Sequence, residues 1–219
     1  MSKAKKRDKQ RYQPPTPPRW TGRDSLDLAY QLNERSLSLL RDVAGGPDAG
    51  DWPLIAHDQM LWSTLDAKTI ERAARFPFVI LDVHFTDIEW WRETINGSDV
   101  PADPNDWPES VSEQLMSETL IFAWHTAKWD RRVARLSLGM SPAVAELIAA
   151  LTPQRLAAIS EHRSSALRLR WQDDPDFWAR LIVAAKSEND DNLEDVHLHA
   201  KLLLTGEIIS RSTLSRVPA

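Results

Sequence analysis

Leu147-Ile-Ala-Ala-Leu151-Thr-Pro-Gln-Arg-Leu156, then Ala166-Leu-Arg-Leu-Arg-Trp171-Gln-Asp173, then Phe177-Trp178, has a counterpart earlier in the same chain. That counterpart is Leu61-Trp-Ser-Thr-Leu65-Asp-Ala-Lys-Thr-Ile70, then Ile80-Leu-Asp-Val-His-Phe85-Thr-Asp87, then Trp90-Trp91. Positions 61 and 147, 65 and 151, 70 and 156, 85 and 171, and 87 and 173 are each 86 apart, and the aromatic pair slips to 87. One spacing shared by helix-like, strand-like and turn-like pieces predicts an internal duplication. Two copies do not make an array, so the expected arrangement is a pseudo-two-fold pair packed on one another and not a solenoid.

Working outward, each copy reads as helices around one short extended segment. In the second copy, Ser141-Pro142 and Thr152-Pro153 each place a capping hydroxyl before a proline at the first helical turn. They predict two short helices, 142–150 and 153–161, joined by the tight Leu151-Thr152 corner. Ala166 to Trp171 alternates, with Leu167, Leu169 and Trp171 on one side and Arg168 and Arg170 on the other. Asp174-Pro175 starts a helix that carries Phe177 and Trp178. In the first copy, Leu54 to Leu65 reads as a short helix and Asp66 caps a second, 67–75. Phe78 to Phe85 is a strand candidate rich in β-branched and aromatic residues. Asp87 caps a helix that Asn96-Gly97 stops. A helix from Asp24 or Ser25 to about Val43, with Leu28, Leu32, Leu39 and Val43 near one face, precedes this copy. A long helix from about Glu109 to Leu138 precedes the other. Asp190 or Asp191 opens the last helix, which ends near Gly206.

These elements define a mainly α fold: a helical bundle with helix-turn-helix-like corners and one short extended segment per repeat. The expected organisation is a basic, proline-rich, disordered tail (1–23), a first helical unit (24–96), a linker rich in proline and aspartate (97–108), a second helical unit (109–206) and a frayed end (207–219).

Composition narrows the function. The chain has 219 residues, no cysteine and a net charge of −5. The charge is uneven: the eight Lys/Arg of residues 1–23 against Asp8 make the tail +7 and leave −12 on the rest. An acidic body argues against a nucleic-acid surface spread over the whole fold, while a basic segment permits a local, salt-sensitive phosphate contact. The absence of cysteine excludes disulfides and thiolate metal sites and fits a reducing cytoplasm. No apolar run is long enough to span a membrane. The six histidines form no metal constellation; His197 and His199, two apart on a helix, point in different directions. No nucleophile elbow, phosphate-binding glycine loop or zinc-binding His-Glu pattern is present, so neither an enzyme nor a cofactor is expected.

Two kinds of candidate interface remain. Glu161 is the only acid between residues 152 and 171, which makes Gln154, Arg155, Arg163, Arg168 and Arg170 candidates for DNA contact. The other reading of these side chains is the solvated face of an ordinary helical corner. Ten tryptophans offer large apolar area at low entropic cost, and Trp90, Trp91, Trp171 and Trp178 are candidates for a partner interface.

The segment Leu120-Ile-Phe-Ala-Trp, Ala134-Arg-Leu-Ser-Leu-Gly-Met140, Leu147-Ile-Ala-Ala-Leu-Thr-Pro-Gln-Arg-Leu156 and Leu167-Arg-Leu-Arg-Trp171 resembles the FlhD family of flagellar transcriptional regulators. Asn192-Leu-Glu-Asp-Val-His197-Leu-His-Ala-Lys-Leu-Leu203 is similar to that family's last helix, so the resemblance spans roughly 115–205. It implies a mainly helical protein that dimerises, works with a FlhC-like partner subunit and takes part in binding promoter DNA. If the first copy is a degenerate version of the same unit, one chain supplies a fused pseudo-dimer. The expectation is therefore a FlhD-like transcriptional regulator in a heteromeric or pseudo-dimeric assembly, with possible DNA contact. The alternative is an adaptor or chaperone-like module that binds a protein through its tryptophan-rich surfaces and never touches DNA.

Overall fold

A computed structural model describes residues 22–97, 109–187 and 189–214. The expected basic tail and proline-rich linker fall almost wholly outside these residues. Among the described residues there are eleven α-helices and one two-stranded ladder, so the mainly helical expectation holds. In chain order the helices are α1 (Gly22–Ala44), α2 (Pro53–His57), α3 (Gln59–Ser63), α4 (Ala67–Ala74), α5 (Ile88–Asn96), α6 (Glu109–Trp129), α7 (Arg131–Leu138), α8 (Pro142–Ala150), α9 (Pro153–His162), α10 (Pro175–Lys186) and α11 (Asp190–Leu214). The strands are β1 (Leu81–Asp82) and β2 (Arg168–Leu169), paired antiparallel with Leu81 opposite Leu169.

Side-chain caps decide where most helices begin, because the first turn of a helix leaves backbone N–H groups without intrahelical partners. Asp66 accepts from Thr69 N at 2.7 Å, Ser141 from Val144 N at 3.2 Å, Thr152 from Arg155 N at 3.3 Å, and Asp174 from Phe177 N at 3.0 Å. Gly97 and Gly139 end α5 and α7 with φ of +76° and +63°, the left-handed conformation that glycine adopts without a Cβ penalty.

Four expectations are corrected by the same logic. The long helix expected over 109–138 breaks at Asp130, whose carboxylate accepts from Arg132 N at 2.7 Å and so caps a new helix, α7. The single helix expected over 54–65 is two five-residue helices, because Asp58 caps Leu61 N at 3.0 Å in the middle. α1 begins at Gly22, so Asp24 lies in its first turn instead of capping it, and its buried stripe runs Ala29, Leu32, Asn33, Ser36, Leu37, Leu40 and Ala44. α11 continues through Gly206 to Leu214, past the expected end.

The strand expected over 78–85 shrinks to two residues for a different reason. Phe78 to Leu81, Val83 and Phe85 are all fully or almost fully buried, so the segment is enclosed rather than lying on a sheet face. Its backbone finds partners one at a time. Asn33 Nδ2 donates to Ala74 O and Phe78 O at 3.1 and 2.9 Å, and its Oδ1 accepts from Ile80 N at 2.9 Å. Val79 N donates to Ser137 O at 2.7 Å, and Phe85 O accepts from Ser141 N at 2.9 Å. A buried chain whose polar groups are met this way needs no ladder.

One continuous hydrophobic core runs through both halves of the chain, from Ala29 to Leu204. At its centre lies Arg170, whose side chain is only 3% exposed. Its Nε donates to Val79 O at 3.1 Å and its Nη2 to Leu138 O at 2.6 Å. Asp82 stands 3.3 Å from Nη2 and Glu207 3.2 Å from Nη1. A buried guanidinium is tolerable only when its donors are met, and here two carbonyls and two carboxylates meet them. Gly139 makes room for this group: a Cβ there would lie 2.7 Å from Leu204 Cδ1 and 3.3 Å from Arg170 Nη2. Replacing Arg170 with Met should cost about 3 kcal/mol in urea unfolding, because it strands buried acceptors and a carboxylate. Arg170→Lys should recover only part of that, since one ammonium group cannot serve four acceptors in different directions.

Candidate nucleic-acid and partner interface

The corner between α8 and α9 is built on α6. Trp124, on α6, donates its indole N–H to Leu151 O at 2.8 Å and pins the turn between the two helices. Leu156, Ile159 and Ser160 bury one side of α9, and Val144, Ala145 and Ile148 bury one side of α8. The outer side of α9 is left to Gln154, Arg155, Ala157, Glu161 and His162, all exposed. The expected helices and their tight corner are thus present at the expected positions.

The candidate DNA-contacting residues do not share one environment. Gln154 is exposed. Arg155 is exposed but its guanidinium donates to Ile95 O, a carbonyl at the C-terminal end of α5, where a cation is favoured by the helix dipole. Arg163 is half-buried. Arg155, His162 and Arg163, together with Thr94, Gly97, Ala158 and Ile159, line a cleft of about 390 Å³ between α5 and α9. Arg168 is half-buried beside a second depression, where Asp82, Asp173, Asp174 and Glu207 outnumber it and Arg170. Arg170 is withdrawn from the surface altogether. Simple strand alternation put Arg168 and Arg170 outward together, but no solvent-facing sheet exists there for them to alternate across.

The candidate partner tryptophans are mostly interior. Trp91 and Trp178 are fully buried and Trp90 is 7% exposed. Trp178 donates its indole N–H towards Arg170 O and Trp171 O at 3.2 and 3.1 Å, and packs on Trp62 with ring centroids 5.9 Å apart. Trp171 is half-buried and donates to Glu207 at 2.7 Å. Trp171 and Trp178 thus join distant parts of this chain, while Trp90 and Trp91 pack on His84 and Phe85.

Further surfaces lie beside the corner. Leu28, Leu32, Ile121 and Phe122 line a cleft of about 380 Å³ between α1 and α6, with the Arg35–Glu118 ion pair (2.6 Å) at its edge. Ile121 and His125 are shared with a neighbouring cleft formed by Trp124, Pro153, Leu156 and Ala157, so apolar surface runs from α1 across α6 to α9. Ile121 is half exposed, a position that helical periodicity alone does not separate from core. Arg131, Arg132 and Arg135 are exposed on α7, with Arg131 3.6 Å from Glu146. Among the described residues no group of three or more His, Cys, Asp or Glu is placed to hold a metal ion, and no single helix is long and apolar enough to cross a membrane.

The described residues form a bundle of capped helices with a two-helix corner pinned on a long helix. Residues 113–210 match the family described as Flagellar transcriptional activator (FlhD), so the C-terminal half of the chain is FlhD-like. No curated protein and no solved structure matches the chain.

His197 adds a pH dependence to this half. Its ring packs on Phe76 with centroids 4.5 Å apart, and its buried Nε2 has no hydrogen-bond partner. Loss of water, helped by the charge of Lys201, pushes its pKa down to about 4 from 6.5. The folded state therefore refuses a proton that the unfolded chain accepts below about 6.5, and stability is lost as the pH falls from there towards 4. The urea midpoint of His197→Leu should fall less between pH 7 and 4.5 than that of the parent chain. An equal fall in both would assign the acid sensitivity elsewhere.

Proposed function

We propose that this protein is a FlhD-like transcriptional regulator that works in a heteromeric assembly and reaches DNA through the α8–α9 corner. The match of residues 113–210 to the flagellar transcriptional activator family carries the reading. The open outer side of α9 supports it: Gln154 and Arg155 are exposed there, and Arg163 lines the adjoining cleft. The arginines of α7 add positive charge on the helix that leads into α8. Arg170 has no part in DNA contact, and Arg168 sits among carboxylates that would repel phosphate.

The protein partner is the larger share of the proposal. A body carrying −12 gains little from phosphate on its own, so a basic partner subunit of the FlhC kind would supply much of the DNA affinity. The apolar clefts around Ile121 and Trp124, beside α9, offer such a partner a hydrophobic centre with a polar rim. The same clefts favour, as a second reading, an adaptor that binds only protein. The tryptophan surfaces first considered for that role are interior, and the Ile121 face replaces them.

Affinity capture from native lysate, with and without nuclease, separates the two. The regulator reading expects one protein partner retained after nuclease, with DNA retained only when nuclease is omitted. The double variant Arg155→Ala, Arg163→Ala should lose DNA and keep the partner. In a salt titration of the assembly, it should also lower the dependence of log affinity on log salt by about one for each phosphate contact removed. A partner retained with no DNA in any arm would establish the adaptor.

A further inference from the structure

The structure holds two sets of matching local features. α4 and α9 begin at residues 67 and 153, capped by Asp66 and Thr152, a spacing of 86. α5 and α10 begin at 88 and 175, capped by Asp87 and Asp174, a spacing of 87. Between them, His84 and Trp171 are, among the described residues, the two non-glycine residues with positive φ, at +46° and +52°, also 87 apart. Each follows a two-residue strand, and each carbonyl accepts from the capping aspartate three residues on, at 2.9 Å in both cases. The ring pairs repeat as well. His84 meets Trp90 at 4.6 Å, stacked, and Trp171 meets Phe177 at 4.7 Å, edge-on; Trp90 meets Trp91 edge-on at 5.3 Å and Phe177 meets Trp178 edge-on at 5.4 Å. The extra residue of the second set arises ahead of the strand rather than at the aromatic pair: α9 is two residues longer than α4, and the connector that follows it is one residue shorter.

The packing between the sets is reciprocal. β1 pairs with β2 antiparallel, as equivalent strands do across a two-fold axis. α10, which follows β2, packs on α4 and, through Trp178 against Trp62, on α3. α5, which follows β1, packs on α8 and receives Arg155 of α9. Each strand-and-helix arm therefore lies on the other set's corner, while α1 and α6 lie together beneath. α11 is the one long element without a counterpart, and it closes the seam: Glu207 accepts from Arg170 and Trp171, and Asp190 pairs with Arg72 at 2.8 Å.

We infer that residues 24–97 and 109–187 are two copies of one unit that have exchanged arms within a single chain. The surface that the FlhD-like half would offer to a second copy of itself is already filled by the first half. One chain thus presents to a partner what otherwise takes two, and the protein on its own is a monomer whose halves hold together without the covalent link. This rests on the fold and not on the DNA-binding proposal, so either can fail alone.

The test is to place a specific protease site within residues 98–108 of the full chain, cut it, and measure mass in solution by light scattering on a sizing column. Before cutting, the mass should be that of one chain, 24.9 kDa. After cutting, both fragments should co-elute at the same mass and separate only in denaturant. Fragments that part under native conditions would overturn the inference. So would an intact chain that runs at twice the mass and whose cut halves stay paired between copies, since that would place the exchange between chains. As a second reading, Trp62→Ala, which loosens the contact of α10 with α3, should lower the denaturant concentration at which the cut halves separate and leave their native mass unchanged.

Discussion

A positively charged side chain in the middle of a hydrophobic core constrains everything around it. Arg170 needs acceptors on several sides, and they come from three parts of the chain: Val79 and Asp82 at β1, Leu138 at the end of α7, and Glu207 on α11. Satisfying one group therefore fixes three segments, far apart in sequence, around the strand that leads into it. Gly139 follows from it, because a side chain there would collide with Leu204 and crowd the guanidinium. Buried charges of this kind add less to stability than to specificity of arrangement, since a misplaced element leaves an unpaired ion in low dielectric.

The helical part of this architecture was legible because caps and stops are local. Asp66, Asp87, Ser141, Thr152, Asp174, Gly97 and Gly139 act within a few residues of themselves, so their consequences appear in the sequence. The breaks at Asp58 and Asp130 used the same chemistry but stood inside periodic apolar patterns, which hid them. The segment 78–85 was harder. Its composition is that of a strand, but its backbone is met by Asn33 from α1 and by Ser137 and Ser141 from the other half. No local pattern announces a partner 47 residues away.

The candidate site was less legible than the fold for a related reason. Arginine and tryptophan were read as surface chemistry because they are amphipathic and common at interfaces. In this chain Arg170 and Trp178 serve the junction between two halves of one molecule, where an interface and a core are the same thing, and Trp90 and Trp91 are buried against His84 and Phe85 of their own half. Arg155 lies at that junction too, against the end of α5, yet remains exposed. Ile121, beside the corner, was overlooked because an exposed isoleucine and a buried one look alike in a helical repeat. The family match over residues 113–210 covers both α9 and the Ile121 face, and the geometry decides which of their side chains are open to solvent.

The central claim is that the two halves, locked at Arg170, stand and fall together. Native-state hydrogen exchange reads this directly. The slowest amides of α5, in the first half, and of α10, in the second, should open with the same free energy and respond equally to urea, because each helix packs on the other half. If α5 opened at markedly lower free energy while α10 stayed protected, the halves would be separate folding units and the account would be wrong.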